Sequence, residues 1–276
     1  MERKHTRKNL QRPGVDGQQH EREGTANLLH GPNAVEEALR AGTRQVESIF
    51  ILESARHERL KRLLQLAREK NVPVHRVPRI DLTQTSGDVS HQGVVARVAP
   101  VHYLTAEELL DQVTADRSIQ GEPLVLVLDG IEDPRNLGSI LRTAECSGAQ
   151  GVFIPERRAS GLTDVVAKVA AGALEHVPVA RVTNLVRLIE DLKRRNIWVI
   201  GATGNATQLY TEWDWSVPTA IVLGNEGQGL HRLVRETCDS LVKIEMCGEL
   251  ESLNVAVAAG VLLFEARRQR NLSRNR

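Results

Sequence analysis

The 276-residue sequence predicts an α/β protein in two parts, a small mixed module followed by a larger domain built on a parallel sheet. Three observations carry this. From about residue 123 onward, runs of Val, Ile and Leu alternate with segments of helical periodicity, the rhythm of strand–helix–strand units. Those runs lack a polar residue at every second position, so helices are expected on both faces of their sheet. Before them, Pro100, Gly121 and Pro123 punctuate a stretch that reads as a linker.

Residues 1–27 are polar and aperiodic and carry Arg3, Lys4, Arg7, Lys8 and Arg12. This composition describes a disordered basic tail, or a loose phosphate-binding arm. Order is expected from Leu28. Pro32 suits a first helical position, Ala34, Val35, Ala38 and Leu39 share a face, and Gly42 closes the helix. A strand at 46–52 follows, then a helix in which Leu60, Leu63, Leu64 and Ala67 fall at i, i+3, i+4 and i+7. Strands at 72–77 and 93–98 complete a small domain over 28–100. Its second helix turns Arg56, Arg59, Lys61, Arg62, Arg68 and Lys70 away from the leucines, as a solvated face or as a surface for phosphates. Residues 101–122 hold one short helix within the linker.

In the larger domain, 123–276, strand-like runs at 124–129, 151–155, 177–182, 197–203, 220–224 and 241–246 alternate with helices. The helices are expected at 137–147, 162–171, 185–195, 230–238 and 252–268. The last of them spreads Leu253, Val255, Val257, Val261, Leu262, Leu263 and Phe264 around its circumference. A helix that is apolar all round needs more than one packing partner, and a second copy of the chain is the expected one, with burial inside the same chain as the competing reading.

Composition narrows the function classes. The longest apolar stretch, 253–264, is too short to span a bilayer, and no apolar core follows the charged N-terminus as a secretory signal requires. Cys146, Cys238 and Cys247 are odd in number and widely spaced, which disfavours disulfides and zinc and points to a reduced cytoplasmic setting. His30, His75 and His91 have no metal-ligand spacing, and no metal site is expected. A net charge of +1 requires any nucleic-acid contact to come from local patches. Aromatic residues at 3% argue against a base-stacking platform, so backbone and shape contacts are expected to dominate any RNA binding.

Three polar or glycine-rich loops follow strand-like runs, the arrangement that builds ligand sites at the carboxyl ends of parallel strands. Gly224, Gly227 and Gly229 give GxxGxG, which is neither the dinucleotide fingerprint nor a P-loop. Glycine there serves a tight turn or the close approach of a ligand. Asp129, Glu132 and Asp133 precede a helix, where acidic residues favour the dipole. Asn136 lies on the loop and Arg142 in the first turns of that helix. Among Leu137, Ile140 and Leu141, the Arg142 charge is either ion-paired on the helix or directed into a site.

The segments Asp129-Gly-Ile-Glu-Asp-Pro-Arg-Asn-Leu-Gly-Ser-Ile-Leu-Arg-Thr143, Ile221-Val-Leu-Gly-Asn-Glu-Gly-Gln-Gly229 and Ile244-Glu-Met246 with Ser252-Leu-Asn-Val-Ala256 stand in this order over some 130 residues. Together they resemble the three motifs of the SpoU/TrmH branch of the SPOUT RNA 2′-O-ribose methyltransferases. Residues 28–98 resemble that family's L30e-like RNA-binding domain, and the overall length resembles the subgroup that methylates a guanosine ribose in 23S ribosomal RNA. The resemblance implies a C-terminal domain with a deep trefoil knot, a homodimer formed through that domain, and S-adenosyl-L-methionine held near Gly224, Ile244, Met246 and Leu253. By motif match it implies Asn136, Arg142, Glu226, Ser252 and Asn254 as the polar active-site residues.

Within that reading Arg142 cannot serve simply as a base, because a guanidinium offers no lone pair at neutral pH. Its expected role is to stabilise a developing alkoxide or to clamp a phosphate, with the proton passing to phosphate or water. Asn136 and Asn254 are expected to orient Arg142 and the ribose, and Glu226 to hold a hydrogen-bond donor or the guanidinium itself. Ser252 has a catalytic and a structural reading, the second as cap of the last helix. The competing functions are a tRNA ribose methyltransferase and a non-catalytic RNA-binding protein.

Overall fold

The computed structural model describes residues 27–55, 58–86, 91–115 and 122–274. Of the basic tail, residues 1–26 lie outside the described residues, as do Arg56 and residues 116–121 of the expected linker.

The first part has a four-stranded sheet in the order β1 (Leu28–His30), β4 (Val94–Val98), β2 (Val46–Leu52), β3 (Val74–Val77). β4 runs antiparallel to both neighbours, and β2 pairs in parallel with β3. Helix α1 (Pro32–Ala41) buries Pro32, Ala34, Val35, Ala38 and Leu39, and Gly42 ends it at φ 65° with its N–H on the Ala38 carbonyl. Helix α2 (Glu58–Glu69) buries Leu60, Leu63 and Ala67, leaving Lys61, Arg62 and Arg68 exposed. A third helix, α3 (Arg79–Ser86), has little amphipathic pattern and was not anticipated from the sequence.

The second part is a sheet of eight strands, and every neighbouring pair in it is parallel. Its order is β10 (Gln208–Leu209), β12 (Ser240–Lys243), β9 (Trp198–Ala202), β11 (Thr219–Gly224), β6 (Leu124–Asp129), β7 (Gly151–Pro155), β8 (Val179–Val182), β5 (Leu104–Thr105). Alternate residues of β6 enter two separate cores: Leu124, Leu126 and Leu128 one, Val125 and Val127 the other. Each face therefore has its own helices. Helices α5 (Pro134–Ser147), α6 (Asp164–Ala170) and α9 (Val255–Arg274) cover the first, and α4 (Ala106–Ala115), α7 (Leu185–Arg194) and α8 (Arg232–Thr237) cover the second.

The stretch read as a linker is in part structural. Leu104–Thr105 add the edge strand β5 beside β8, and α4 buries Leu109, Leu110 and Val113 against the sheet. The last helix is apolar on two faces with different fates. Val255, Ala259, Leu262, Leu263 and Ala266 are buried, whereas Val257 and Phe264 are each 51% exposed.

Candidate active site

Parallel register places the expected loops together. Asp129, the last residue of β6, lies directly opposite Gly224, the last of β11. Next to β11 comes β9 and then β12, so the loops after β6, β11 and β12 leave the same edge of the sheet. β12 stops at Lys243, and Ile244 to Met246 depart from the sheet to line a cleft.

That cleft holds about 360 Å³. Gly224, Gly227 and Gly229 form one wall, Ile244, Met246, Ser252 and Leu253 another, and Thr203, Asn205 and Glu251 supply polar groups. Gly224 is obligatory for a steric reason. A Cβ there would stand 2.1 Å from the Gly229 carbonyl carbon, where the loop folds back over the strand end. The Asn225 side chain fixes this turn by accepting from the N–H groups of Gly227 and Gln228 at 3.0 and 2.7 Å. A mixed apolar and polar cleft of this size, with three glycines in one wall, suits a nucleoside-bearing ligand such as S-adenosyl-L-methionine.

At its rim three of the expected polar residues form one chain. The Asn254 amide donates to Asn136 Oδ1 at 3.0 Å, and the Asn136 amide donates to Glu226 Oε1. Asn136 sits in the first turn of α5, which begins at Pro134 behind an Asp133 cap and so starts earlier than its apolar periodicity indicates. With both ends of its amide engaged, Asn136 holds Glu226 and Asn254 in place. The second Glu226 oxygen is left as an acceptor and the remaining amide hydrogens as donors, a set that can grip a hydroxyl.

Asn254 is also the cap of the last helix. Its Oδ1 accepts from Ala256 N–H at 2.9 Å and Val257 N–H at 3.4 Å. The capping role considered for Ser252 thus belongs to Asn254, because the helix begins at Val255 and not at 252. Ser252 is exposed and lines the cleft.

Arg142 stands apart from this chain. It is exposed on α5 and makes no hydrogen bond or ion pair among the described residues. Six residues separate it from Asn136, about 240° around the helix and about 9 Å along it. Its neighbour Thr143 faces Gly260 of α9, the helix that packs along α5.

Sequence reasoning missed one constellation. The Asp129 carboxylate is buried, and it accepts from the backbone N–H of His231 at 2.7 Å and lies 2.8 Å from His231 Nδ1. The imidazole faces a second cavity of about 450 Å³ shared with Gly130, Glu132, Arg158 and Glu226. An Asp and a His 102 positions apart give no local signal. A larger cavity of about 750 Å³ lies at the other edge of the sheet, around Tyr103, Arg181 and Arg187, and contains none of the motif residues. Burial pushes the Cys238 thiol up to about 12, so it is not a ready thiolate at neutral pH. Among the described residues no cluster of His, Cys, Asp or Glu could hold a metal ion, and no helix is long and apolar enough to cross a membrane.

Comparison with known proteins agrees with this layout. Residues 123–264 match the SpoU rRNA methylase family, and residues 28–104 match the RNA 2′-O ribose methyltransferase substrate-binding domain. The chain is 44% identical to the 23S rRNA (guanosine-2′-O-)-methyltransferase RlmB of Pseudomonas putida over 89% of this chain and 98% of that one. It is 45% identical, over 87% of its length and 95% of the relative's, to the Bacillus subtilis protein YacO, provisionally named a TrmH family tRNA/rRNA methyltransferase. Among solved structures it superposes on the SpoU methyltransferase AviRb of Streptomyces viridochromogenes in complex with AdoMet. The TM-score is 0.73 at 26% identity, covering 88% of this chain and 90% of that one.

Proposed function

Because the chain belongs to the SpoU rRNA methylase family, whose donor is S-adenosyl-L-methionine, we propose that it methylates the 2′-hydroxyl of a guanosine ribose in 23S ribosomal RNA. The observation that carries the reading is the Asn254–Asn136–Glu226 chain at the rim of the donor-sized cleft. The donor supplies a sulfonium-bound methyl group and a good leaving group. What remains for the protein is to hold a ribose hydroxyl in line with that methyl, which alone lowers the barrier by several kcal/mol.

In this reading Gly224, Ile244, Met246 and Leu253 hold the donor, and Asn136, Glu226, Ser252 and Asn254 hold the ribose. Arg142 stabilises the developing alkoxide or an adjacent phosphate; a guanidinium that donates five N–H groups suits that task. The exposure of Val257 and Phe264 supports a homodimer formed along α9, in which the second copy covers them. The trefoil knot and a cytoplasmic setting belong to the same proposal.

The test is methyl transfer from labelled donor to protein-free 23S rRNA and, in parallel, to tRNA from cells lacking the gene. We expect one 2′-O-methylguanosine in the 23S species, mapped by primer extension. Label in tRNA alone would overturn the ribosomal assignment and leave the family chemistry intact.

A further inference from the structure

Outside the lining of the donor cleft, the two parts of the chain are joined by charged groups withdrawn from water. Arg44 precedes β2 and is 9% exposed, and Glu175, in the turn between α6 and β8, is 4% exposed. Arg44 Nε donates to Glu175 Oε1 at 3.0 Å, and a second guanidinium nitrogen donates to the same carboxylate. Thr43 Oγ1 donates to Glu175 Oε2 at 2.7 Å, so both carboxylate oxygens are occupied. At the rim His176 Nε2 lies 2.8 Å from Glu37 Oε1. Along the other side the N–H groups of Asn27 and Leu28 donate to Asp164 Oδ1 at 3.1 and 3.3 Å.

These contacts do more than add adhesion. Burying an ion pair carries a desolvation cost that its Coulomb attraction offsets only when the hydrogen bonding is complete, so such a pair is weak as glue but strict about geometry. Two guanidinium nitrogens converge on Glu175 Oε1, and Nε also lies 3.3 Å from Oε2, so the contact constrains angle as well as distance. A freely hinged pair of domains has no use for it, because either charge left alone at the interface would be penalised.

We propose that Arg44, Thr43 and Glu175 form a latch that holds the RNA-binding part at a set offset from the methyl-transfer site. They would then be positioning residues that decide which nucleotide reaches the donor. The inference rests on the proposed function, since it takes the small domain to grip the RNA and the large one to methylate it. RNA bound by the small domain is presented to the cleft at a fixed distance, and loosening the latch leaves RNA bound but misplaced.

The deciding variant is Arg44→Ala combined with Glu175→Ala. It removes both charges together, so no unpaired ion is left to unfold the protein. With 23S rRNA the expected result is a fall in kcat on the order of 100-fold, the scale set by an ångström of misplacement, with RNA Kd and donor Kd unchanged. The exchange of Arg44→Glu with Glu175→Arg should recover part of that loss, which a merely structural defect would not do. Small-angle scattering should give a larger radius of gyration for the double alanine variant than for the wild type. An unchanged radius, or methylation of the same nucleotide at the wild-type rate, would overturn the latch. If the wild type leaves 23S rRNA unmethylated, the functional reading fails instead, and the scattering result still decides the latch.

Discussion

Asn254 has two hydrogen-bonding ends with two separable duties. Its oxygen caps α9 by accepting from Ala256 and Val257, and its amide nitrogen donates to Asn136. Asn254→Asp keeps the acceptor and places a negative charge at a helix N-terminus, where it is favourable, but removes the donor and sets a carboxylate against Asn136 and Glu226. The melting temperature should therefore stay near wild type while kcat for methyl transfer falls by about 100- to 1,000-fold, the range for loss of one preorganised donor. Asn254→Ala should lose activity and, in addition, about 1 kcal/mol of stability through the missing cap. Equal melting temperatures for the two variants would remove the capping role. Equal activity of Asn254→Asp and wild type would remove the amide from the site.

The secondary-structure elements were legible where periodicity or turn chemistry is strong. β6 over Leu124–Asp129 and β7 over Gly151–Pro155 stand where the apolar runs put them, and Gly42 closes α1 by its positive φ. Two-residue strands such as β5 and β10 contain too few positions to show a period. Ile244 to Met246 look like strand and leave the sheet, because the apolar surface they cover belongs to the cleft. The last helix illustrates what sequence leaves open: its apolar circumference demanded two partners, and the fold supplies one. Val257 and Phe264 lie seven residues apart on the uncovered side. Exposed large apolar side chains sharing one helix face mark an association surface. Phe264→Glu should leave the fold intact, since the site faces solvent within one chain, and should shift the mass by light scattering from two chains to one. A wild-type mass of one chain at micromolar concentration would eliminate the dimer.

For the whole molecule, the three site loops were traceable from sequence, because each follows a strand and parallel topology delivers strand ends to a common edge. Which side chains meet there came only from the motif resemblance and not from spacing, since Asn136, Glu226 and Asn254 are joined by hydrogen bonds over separations of 90 and 118 positions. The junction between the two parts was still less visible, being made of isolated residues such as Arg44 and Glu175. That junction also contains His30, whose ring nitrogens are both buried and have no hydrogen-bond partner among the described residues. Burial holds His30 below its ordinary pKa, with Lys168 and His91 adding to the effect and Asp164 opposing it. Folding therefore favours the neutral ring. As pH falls through about 6.5 the unfolded chain takes up a proton that the folded chain resists, so stability is full above that pH and is lost as pH drops toward the folded-state pKa. His91, lowered mainly by its own burial, adds a contribution of the same sign. Urea midpoints should accordingly be lower at pH 5 than at pH 7.5. His30→Leu, which buries no titratable group, should reduce the difference without abolishing it, and a pH dependence identical to wild type would show that His30 gains its proton equally well in the folded state.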